Sequence, residues 1–131
     1  MGTGHEEAIA VVRAEHVEAV NSTDVDRLLR GTTDDVVYLA PQLPPIRGKD
    51  ELRRFVAPIY ANASINIEME AESLEVFGEH AVEWGNVRGA LVLEGADSET
   101  VNLTYLFVYR LDPDGQWRIS YDISTPGAST P

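Results

Sequence analysis

Two titratable side chains could together move protons on a bound molecule: His16 and Asp122. His16 lies four residues from both Val12 and Val20, so on a helix the three share one apolar face. An unperturbed imidazole has a pKa of about 6.5 and can donate a proton or a hydrogen bond at neutral pH. The alternative for His16 is a core histidine that bonds a neighbouring protein group.

The surroundings of Asp122 are less suggestive of a site. Asp122 alternates with Arg118, Ser120 and Ser124 along the predicted last strand, and the residues between them are apolar or aromatic. This alternation alone predicts that Asp122 faces solvent.

Other catalytic patterns are missing from the sequence. The three histidines, His5, His16 and His80, are scattered, and the chain has no cysteine and no HExxH motif. Phosphate-binding glycine motifs and a GxSxG motif are also absent. We therefore expect no metal and no cofactor.

Composition excludes further classes of function. The 131 residues carry a formal net charge of −12, which argues against nucleic acid and anionic membrane surfaces as partners. No apolar run approaches the ~20 residues of a membrane span, and residues 1–7 are polar and acidic. We expect one cytoplasmic domain over residues 1–131, with a flexible tail at 127–131.

Three helices are expected first. Thr3-Gly4-His5-Glu6 has the pattern of a capping box ahead of a helix that runs to about Val20. A short helix follows Ser22-Thr23-Asp24 and ends at Gly31, and a third starts near Lys49 and is broken or kinked by Pro58.

The second half of the chain alternates with the period of strands. Apolar residues occupy every second position from Ile65 to Ala71, and the alternation then shifts, which predicts a bulge near Glu72-Ser73. Three more strands follow, over about residues 81–94, 101–109 and 116–124, and Gly85 and Gly89 permit sharp bending in the first of them. The pattern predicts an α+β fold in which a curved antiparallel sheet and its helices enclose a hollow.

This order of elements resembles the nuclear transport factor 2-like superfamily, which includes ketosteroid isomerase and the SnoaL-like polyketide cyclases. The segments that carry the resemblance are "DVDRLLRGTTDDVVYLAPQLPPIRGKDELRRF" and "YLFVYRLDPDGQWRISYDIST", within a similarity that runs from about Ile9 to Ser124. Among its members the chain most resembles the SgcJ/EcaC-type small bacterial proteins. The resemblance implies a cone-shaped cystatin-like sheet wrapped around helices, a homodimer and a role in bacterial secondary metabolism.

Apolar residues stand at two of the three positions that carry the ketosteroid isomerase machinery. Matched to that family, Ala40 stands where the general base would be, Phe107 where an oxyanion-hole acid would be, and His16 where a tyrosine would be. The resemblance thus excludes ketosteroid isomerisation by the usual residues.

The resemblance also directs the polar side of the last strand, with Asp122, into the cavity. There Arg88 is the expected partner of Asp122, and the alternative to an acid–base role is a structural Arg88–Asp122 ion pair. An aromatic wall in this cavity would suit a small apolar or aromatic molecule. The expected ligand-binding residues are Tyr38, Phe55, Trp84, Asn86, Arg88, Tyr105, Phe107 and Tyr109.

Three functions follow from these expectations. The first is a cofactor-independent isomerase, cyclase or hydratase that acts on a polyketide-like or aromatic metabolite through His16 and Asp122, with Tyr38 or Tyr105 stabilising an enolate. The second is a carrier that binds a hydrophobic metabolite without changing it. The third is a dimeric interaction domain with a collapsed hollow.

Overall fold

The computed structural model describes residues 2–127, and it describes side chains from residue 4 onward. The helices are α1 (Gly2–Asn21), α2 (Val25–Arg30) and α3 (Gly48–Ala61). The strands are β1 (Thr32–Leu39), β2 (Ile46–Arg47), β3 (Ala63–Phe77), β4 (His80–Leu93), β5 (Glu99–Leu111) and β6 (Trp117–Pro126). Among the described residues, no helix is long and apolar enough to cross a membrane.

The ends of the elements differ from the expectations in three places. Helix α1 already begins at Gly2, so the predicted capping box at Thr3 lies inside the helix. Helix α3 continues through Pro58 to Ala61, so the proline does not end it. The backbone N–H of Gly127 donates to the carbonyl of Asn102 at 2.9 Å, whereas the rest of the predicted tail, 128–131, lies outside the described residues.

The six strands form one curved, unclosed sheet in the order β2-β1-β6-β5-β4-β3, and the helices pack against it. Neighbouring strands are antiparallel except β1 and β6, which are parallel. One apolar cluster lies between α1 and β3–β6, and a second joins α1 and α2 to α3 and β1. The expected α+β fold is confirmed, with one parallel pair in a sheet that was predicted to be antiparallel.

The bend of the β3–β4 hairpin has a local cause. The pairing shifts by one residue between Ala71 and Ser73, which confirms the predicted bulge. Opposite this point the two strands approach so closely that a Cβ on Gly85 would lie 2.1 Å from the carbonyl oxygen of Glu70. Only glycine fits there, so Gly85 allows the sheet to curl around the cavity.

A second bulge, which the sequence did not predict, lies in β6. Val108 pairs with Tyr121 and Tyr109 pairs with Ile119, so Ser120 has no partner of its own on β5. The Ser120 hydroxyl donates to the carbonyl of Val108 at 3.0 Å. Because one extra residue reverses the alternation, Ile119 and Asp122 face the inner side of the sheet while Tyr121 faces out.

Candidate active site

A cavity of about 290 Å³ lies between the helices and the concave face of the sheet. Its size is at the lower end of the range of pockets that bind small molecules. Most of the lining side chains are apolar, and none of the lining residues within 2–127 is Lys or Arg. The polar lining residues are His16, Thr32, Tyr38, Tyr60, Tyr105, Asp122 and Ser124.

Asp122 lies on the inner face of β6 between two aromatic neighbours. In the sheet it is paired with Tyr38 of β1 on one side and with Phe107 of β5 on the other. Within the described part of the chain, neither a hydrogen-bond donor nor a cation contacts its carboxyl group. Burial alone raises the pKa of Asp122 from 3.8 to about 7, because an apolar cavity disfavours the charged form.

Two tyrosine hydroxyls are close enough to Asp122 to respond to its charge. Burial, followed by the negative charge of Asp122, raises the pKa of Tyr38 and of Tyr60. Both phenols therefore stay protonated at neutral pH and can donate hydrogen bonds. Tyr38 also contacts Phe55 with 5.7 Å between ring centroids, which extends the aromatic wall.

His16 projects from α1 toward the same part of the cavity. Its ring meets Phe107 edge-on with 5.1 Å between centroids. Its Nδ1 atom is buried and has no hydrogen-bond partner in the described protein. Burial lowers the pKa of His16 to about 4, although the charge of Glu83 acts in the opposite direction. The imidazole is therefore neutral at pH 7 and can donate one hydrogen bond.

The cavity is closed at the end that holds these groups. Tyr105 and Phe107, which line that end, are 2% and 1% exposed. At the opposite end the lining residues Ile65, Leu91 and Val101 are only partly buried. The polar groups near Asp122 and the apolar side chains of Ile65, Leu91 and Val101 therefore occupy different parts of the cavity wall.

Four of the eight expected ligand-binding residues line the cavity: Tyr38, Phe55, Tyr105 and Phe107. Tyr105 contributes its ring only, because its hydroxyl donates to Glu83 at 2.9 Å. The expectation that Tyr105 could stabilise an enolate therefore does not fit its geometry. Tyr109 is fully buried but lies outside the lining, with its own hydroxyl 2.9 Å from Glu83.

The expectation was wrong for Trp84, Asn86 and Arg88, which lie on the outer face of the sheet. The pairing of Gly85 with Ala71 places the odd-numbered residues of β4 on the inner face, and Trp84 is 45% exposed. Arg88 consequently lies on the opposite side of the sheet from Asp122. The predicted Arg88–Asp122 ion pair does not form.

Sequence reasoning missed Tyr60, Arg13 and Glu83. Tyr60 continues the apolar stripe of α3 at helical spacing after Leu52 and Val56, which is a signal that the sequence carries. Glu83 is fully buried beside the cavity and pairs with Arg13 of α1. Both charged residues occupy inner positions of their elements, where charge is unusual unless it is paired.

No cluster of three or more His, Asp or Glu side chains in residues 2–127 is placed to hold a metal ion. The chemical groups that the cavity offers are thus a carboxyl with a raised pKa, a neutral imidazole and two phenols. Such a set can take a proton from carbon and stabilise charge on oxygen.

Comparison with known proteins identifies the family of this chain. Residues 14–119 match the model of the SnoaL-like domain. No curated protein sequence matches the chain.

Solved structures from several bacteria share the fold. A ketosteroid isomerase-like protein from Erwinia carotovora atroseptica superimposes with a TM-score of 0.84 at 18% identity, covering 94% of this chain and 96% of that one. A suggested dehydratase of the NTF2-like family from Streptomyces avermitilis gives a TM-score of 0.79 at 19% identity, covering 94% and 97%. A nuclear transport factor 2 (NTF2-like) superfamily protein from Salmonella enterica gives 0.82 at 14% identity, covering 100% and 96%.

At these identities the structural neighbours establish the fold and not the activity. The family match spans most of the chain, and the cone of sheet and helices agrees with it. The chain belongs to the SnoaL-like domain family.

Proposed function

We propose that this protein is a cofactor-independent enzyme that moves a proton next to a carbonyl group of a small apolar or aromatic molecule. Isomerisation, cyclisation and dehydration or hydration can all begin with this step. The observation that carries the proposal is the Asp122 carboxyl, which has no protein partner in an apolar cavity that also contains a neutral imidazole. A pKa of about 7 suits a group that must both accept and return a proton at neutral pH.

In the proposed reaction the Asp122 carboxylate takes a proton from the carbon next to the carbonyl. The electron pair of that C–H bond forms a carbon–carbon double bond, and the π electrons of the carbonyl move onto its oxygen to give an enolate. Hydrogen bonds from Tyr38, Tyr60 or His16 stabilise the oxygen, and the protonated Asp122 then returns the proton to carbon. The reaction consumes no other reagent.

The charge of the site sets the class of ligand. The cavity lacks cationic side chains within the described residues, and Asp122 becomes negative when it ionises. A carboxylate or phosphate on the ligand would therefore be disfavoured. A neutral polyketide-like metabolite of bacterial secondary metabolism, acted on in the cytoplasm, fits these limits, and the Streptomyces neighbour named as a suggested dehydratase supports an enzymatic role.

Deuterium exchange tests the proposal without knowledge of the natural substrate. 2-Tetralone is a neutral aromatic ketone with an acidic C–H beside its carbonyl, and its deuteration in deuterium oxide can be followed by NMR. We expect the protein to accelerate exchange and Asp122→Asn to reduce the accelerated rate by about 10²–10⁴-fold. Asp35→Asn, a change on an exposed carboxyl of β1, is the matched control and should leave the rate unchanged. An Asp122→Asn variant as active as the wild type would refute the assignment.

A carrier that binds the ligand without changing it is the second candidate, and Phe107 favours it. Its apolar ring lines the cavity at the position where the resemblance to ketosteroid isomerase would place an acid. A carrier would bind 2-tetralone at the same site and release it without deuterium above the background level. Binding with no accelerated exchange would therefore select the carrier over the enzyme.

We also propose that the protein is a homodimer that pairs through the outer face of the sheet. Trp84 and Tyr121 are 45% and 43% exposed on this face. Val82 and Val108 lie in register with Tyr121 and form an apolar band across β4, β5 and β6. Analytical ultracentrifugation should show a dimer for the wild type and a shift toward monomer for Trp84→Glu. A monomeric wild type would refute the dimer, and a dimer that binds no neutral aromatic ligand would favour an interaction domain instead.

A further inference from the structure

Beneath the closed end of the cavity lies a polar network that the proposed reaction does not use. Its centre is Glu83, which is 0% exposed on the inner face of β4. The Nε of Arg13 donates to both carboxylate oxygens of Glu83 at 3.0 Å, and its Nη2 makes a further short contact with one of them. The hydroxyls of Tyr105 and Tyr109 both donate to Oε2 of Glu83, each at 2.9 Å.

This network is an unusual way to fill a core. A buried ion pair is often no more stabilising than apolar residues of the same volume, because both charges lose their hydration. Glu83 sits among side chains of the main apolar cluster, where Tyr105 and Tyr109 are themselves members. We therefore infer that the role of Glu83 in the core is to fix the positions of the side chains that bind it.

The network attaches α1 to the sheet on one side of His16. Arg13 precedes His16 by three residues, so its pairing with Glu83 connects α1 to β4 one helical turn before the imidazole. On the other side, the amide of Asn21 exchanges two hydrogen bonds with the backbone of Ile67 on β3, at 3.0 and 2.8 Å. The helix is thus held at two points, and His16 lies between them.

The network also determines which part of Tyr105 reaches the cavity. Because its hydroxyl is bound to Glu83, Tyr105 presents only its ring to the ligand space. That ring packs against Phe107 with 4.8 Å between centroids, and Phe107 in turn contacts His16. A continuous set of contacts therefore connects Glu83 to the imidazole through β5 as well as through α1.

We propose that Arg13 and Glu83 are positioning residues of the cavity, which hold His16 at its closed end and keep the Tyr105 hydroxyl away from the ligand. They act through His16 and Tyr105 and do not themselves line the cavity. The inference rests on the proposed function only in treating the cavity as a ligand site. The position of His16 can be measured without any ligand.

The decisive variant replaces the whole network by apolar groups: Arg13→Met, Glu83→Leu, Tyr105→Phe and Tyr109→Phe together. It leaves no buried polar atom of the network unpaired, so a cooperatively folded protein is expected. We expect the NMR resonances of the His16 ring to move and broaden in the free protein. With 2-tetralone bound, the exchange rate should fall by about 10²-fold, the effect of misplacing a reacting group by about 1 Å.

An Arg–Asp pair on the surface provides the control. Arg53 of α3 and Asp26 of α2 are joined at 2.8 Å but lie at 51% and 68% side-chain exposure. Arg53→Met with Asp26→Ala should leave the His16 resonances and the exchange rate unchanged. A network-free variant that matches this control would overturn the proposal.

A gentler variant covers the case in which the fourfold variant does not fold. Arg13→Lys retains the positive charge but cannot form the two-nitrogen contact with Glu83. We expect it to fold and to show smaller changes of the same kind in the His16 resonances. Unchanged resonances in Arg13→Lys would count against the positioning role, whereas a wild type that fails to exchange 2-tetralone would count only against the proposed reaction.

Discussion

The two titratable groups of the cavity should make opposite contributions to the pH dependence of stability. The pKa of Asp122 rises from 3.8 to about 7 on folding, and that of His16 falls from 6.5 to about 4. Each shift means that the folded state disfavours the charged form. The free energy of unfolding therefore changes wherever the unfolded chain is charged at one of these sites and the folded chain is not.

For Asp122 the unfavourable range lies on the alkaline side. Well below pH 3.8 the carboxyl is protonated in both states and contributes nothing. As the pH rises from about 4 to 7 the unfolded state ionises first, so the folded state loses relative stability. At 1.36 kcal/mol per pKa unit, a shift of about 3 units corresponds to about 4 kcal/mol above pH 7. Water that enters the cavity reduces this penalty, so the figure is an upper limit.

For His16 the unfavourable range lies on the acidic side. Well above pH 6.5 the imidazole is neutral in both states. As the pH falls from about 6.5 to 4 the unfolded state gains a proton that the folded state resists, which costs up to about 3 kcal/mol. Over this interval the two slopes have opposite signs and nearly cancel in the wild type.

The difference between each single variant and the wild type should therefore reveal the contribution of the group that the variant removes. We expect Asp122→Asn to be more stable than the wild type at pH 8, with a gain that disappears toward pH 4. We expect His16→Gln to gain stability at pH 4.5 and to show no such gain at pH 8. Urea unfolding at a series of pH values measures both differences, because the remaining carboxylates cancel between variant and wild type.

A control of opposite sign guards against a general effect of removing charge. Hydrogen bonds from Arg110 lower the pKa of Asp35, so its carboxylate stabilises the fold at neutral pH. Asp35→Asn should consequently lose stability at pH 7 and match the wild type at low pH. If Asp122→Asn behaved like Asp35→Asn, Asp122 would not be an unpaired carboxyl in an apolar cavity, and the proposed general base would fail with it.

Two further predictions concern the bend of the sheet and the phenols of the cavity. Gly85→Ala should lower the free energy of unfolding by about 3 kcal/mol or more, or prevent folding, because its methyl group would collide with the Glu70 carbonyl. Gly4→Ala has open space around it and should be neutral or stabilising. Thermal unfolding measures both. Tyr38→Phe and Tyr60→Phe should each weaken 2-tetralone binding in calorimetric titrations by roughly threefold to tenfold, the value of one hydrogen bond. Unchanged affinity in both tyrosine variants would exclude these hydroxyls as donors to the ligand.

The sequence predicts the elements well because their signals are local. The alternation in β3 and its shift near Glu72 are properties of neighbouring residues, and the structure has the bulge at that point. The end of α2 at Gly31 is likewise local, since the glycine N–H satisfies the carbonyl of Leu28. Short-range patterns of this kind need no knowledge of the partner strands.

The inner face of each strand is harder to predict, because pairing between strands determines it. In β4 the aromatic ring of Trp84 suggested an inner position, yet the inner face carries the charged Glu83. The charge of Glu83 is tolerated only because Arg13, seventy residues earlier, reaches it from another element. In β6 the strict alternation predicted a solvent-facing Asp122, and a bulge at Ser120 with no local sequence signal reverses it. The resemblance, not the pattern, gave the right direction for Asp122.

The bulge at Ser120 has a consequence for how such a cavity could change over evolution. Deletion of Ser120 would restore regular pairing in β6 and leave Asp122 and Ser124 on the inner face, because Tyr121 and Asp122 would keep their partners Val108 and Phe107. A regular β6 that kept Ser120 would instead turn Tyr121 and Ile123 inward. The carboxyl would then leave the cavity and an aromatic ring would enter it, while the other five strands could keep their sequences. The bulge thus separates a chamber equipped for proton transfer from one equipped only for binding, and its gain or loss is a short route by which one scaffold could alternate between catalyst and carrier.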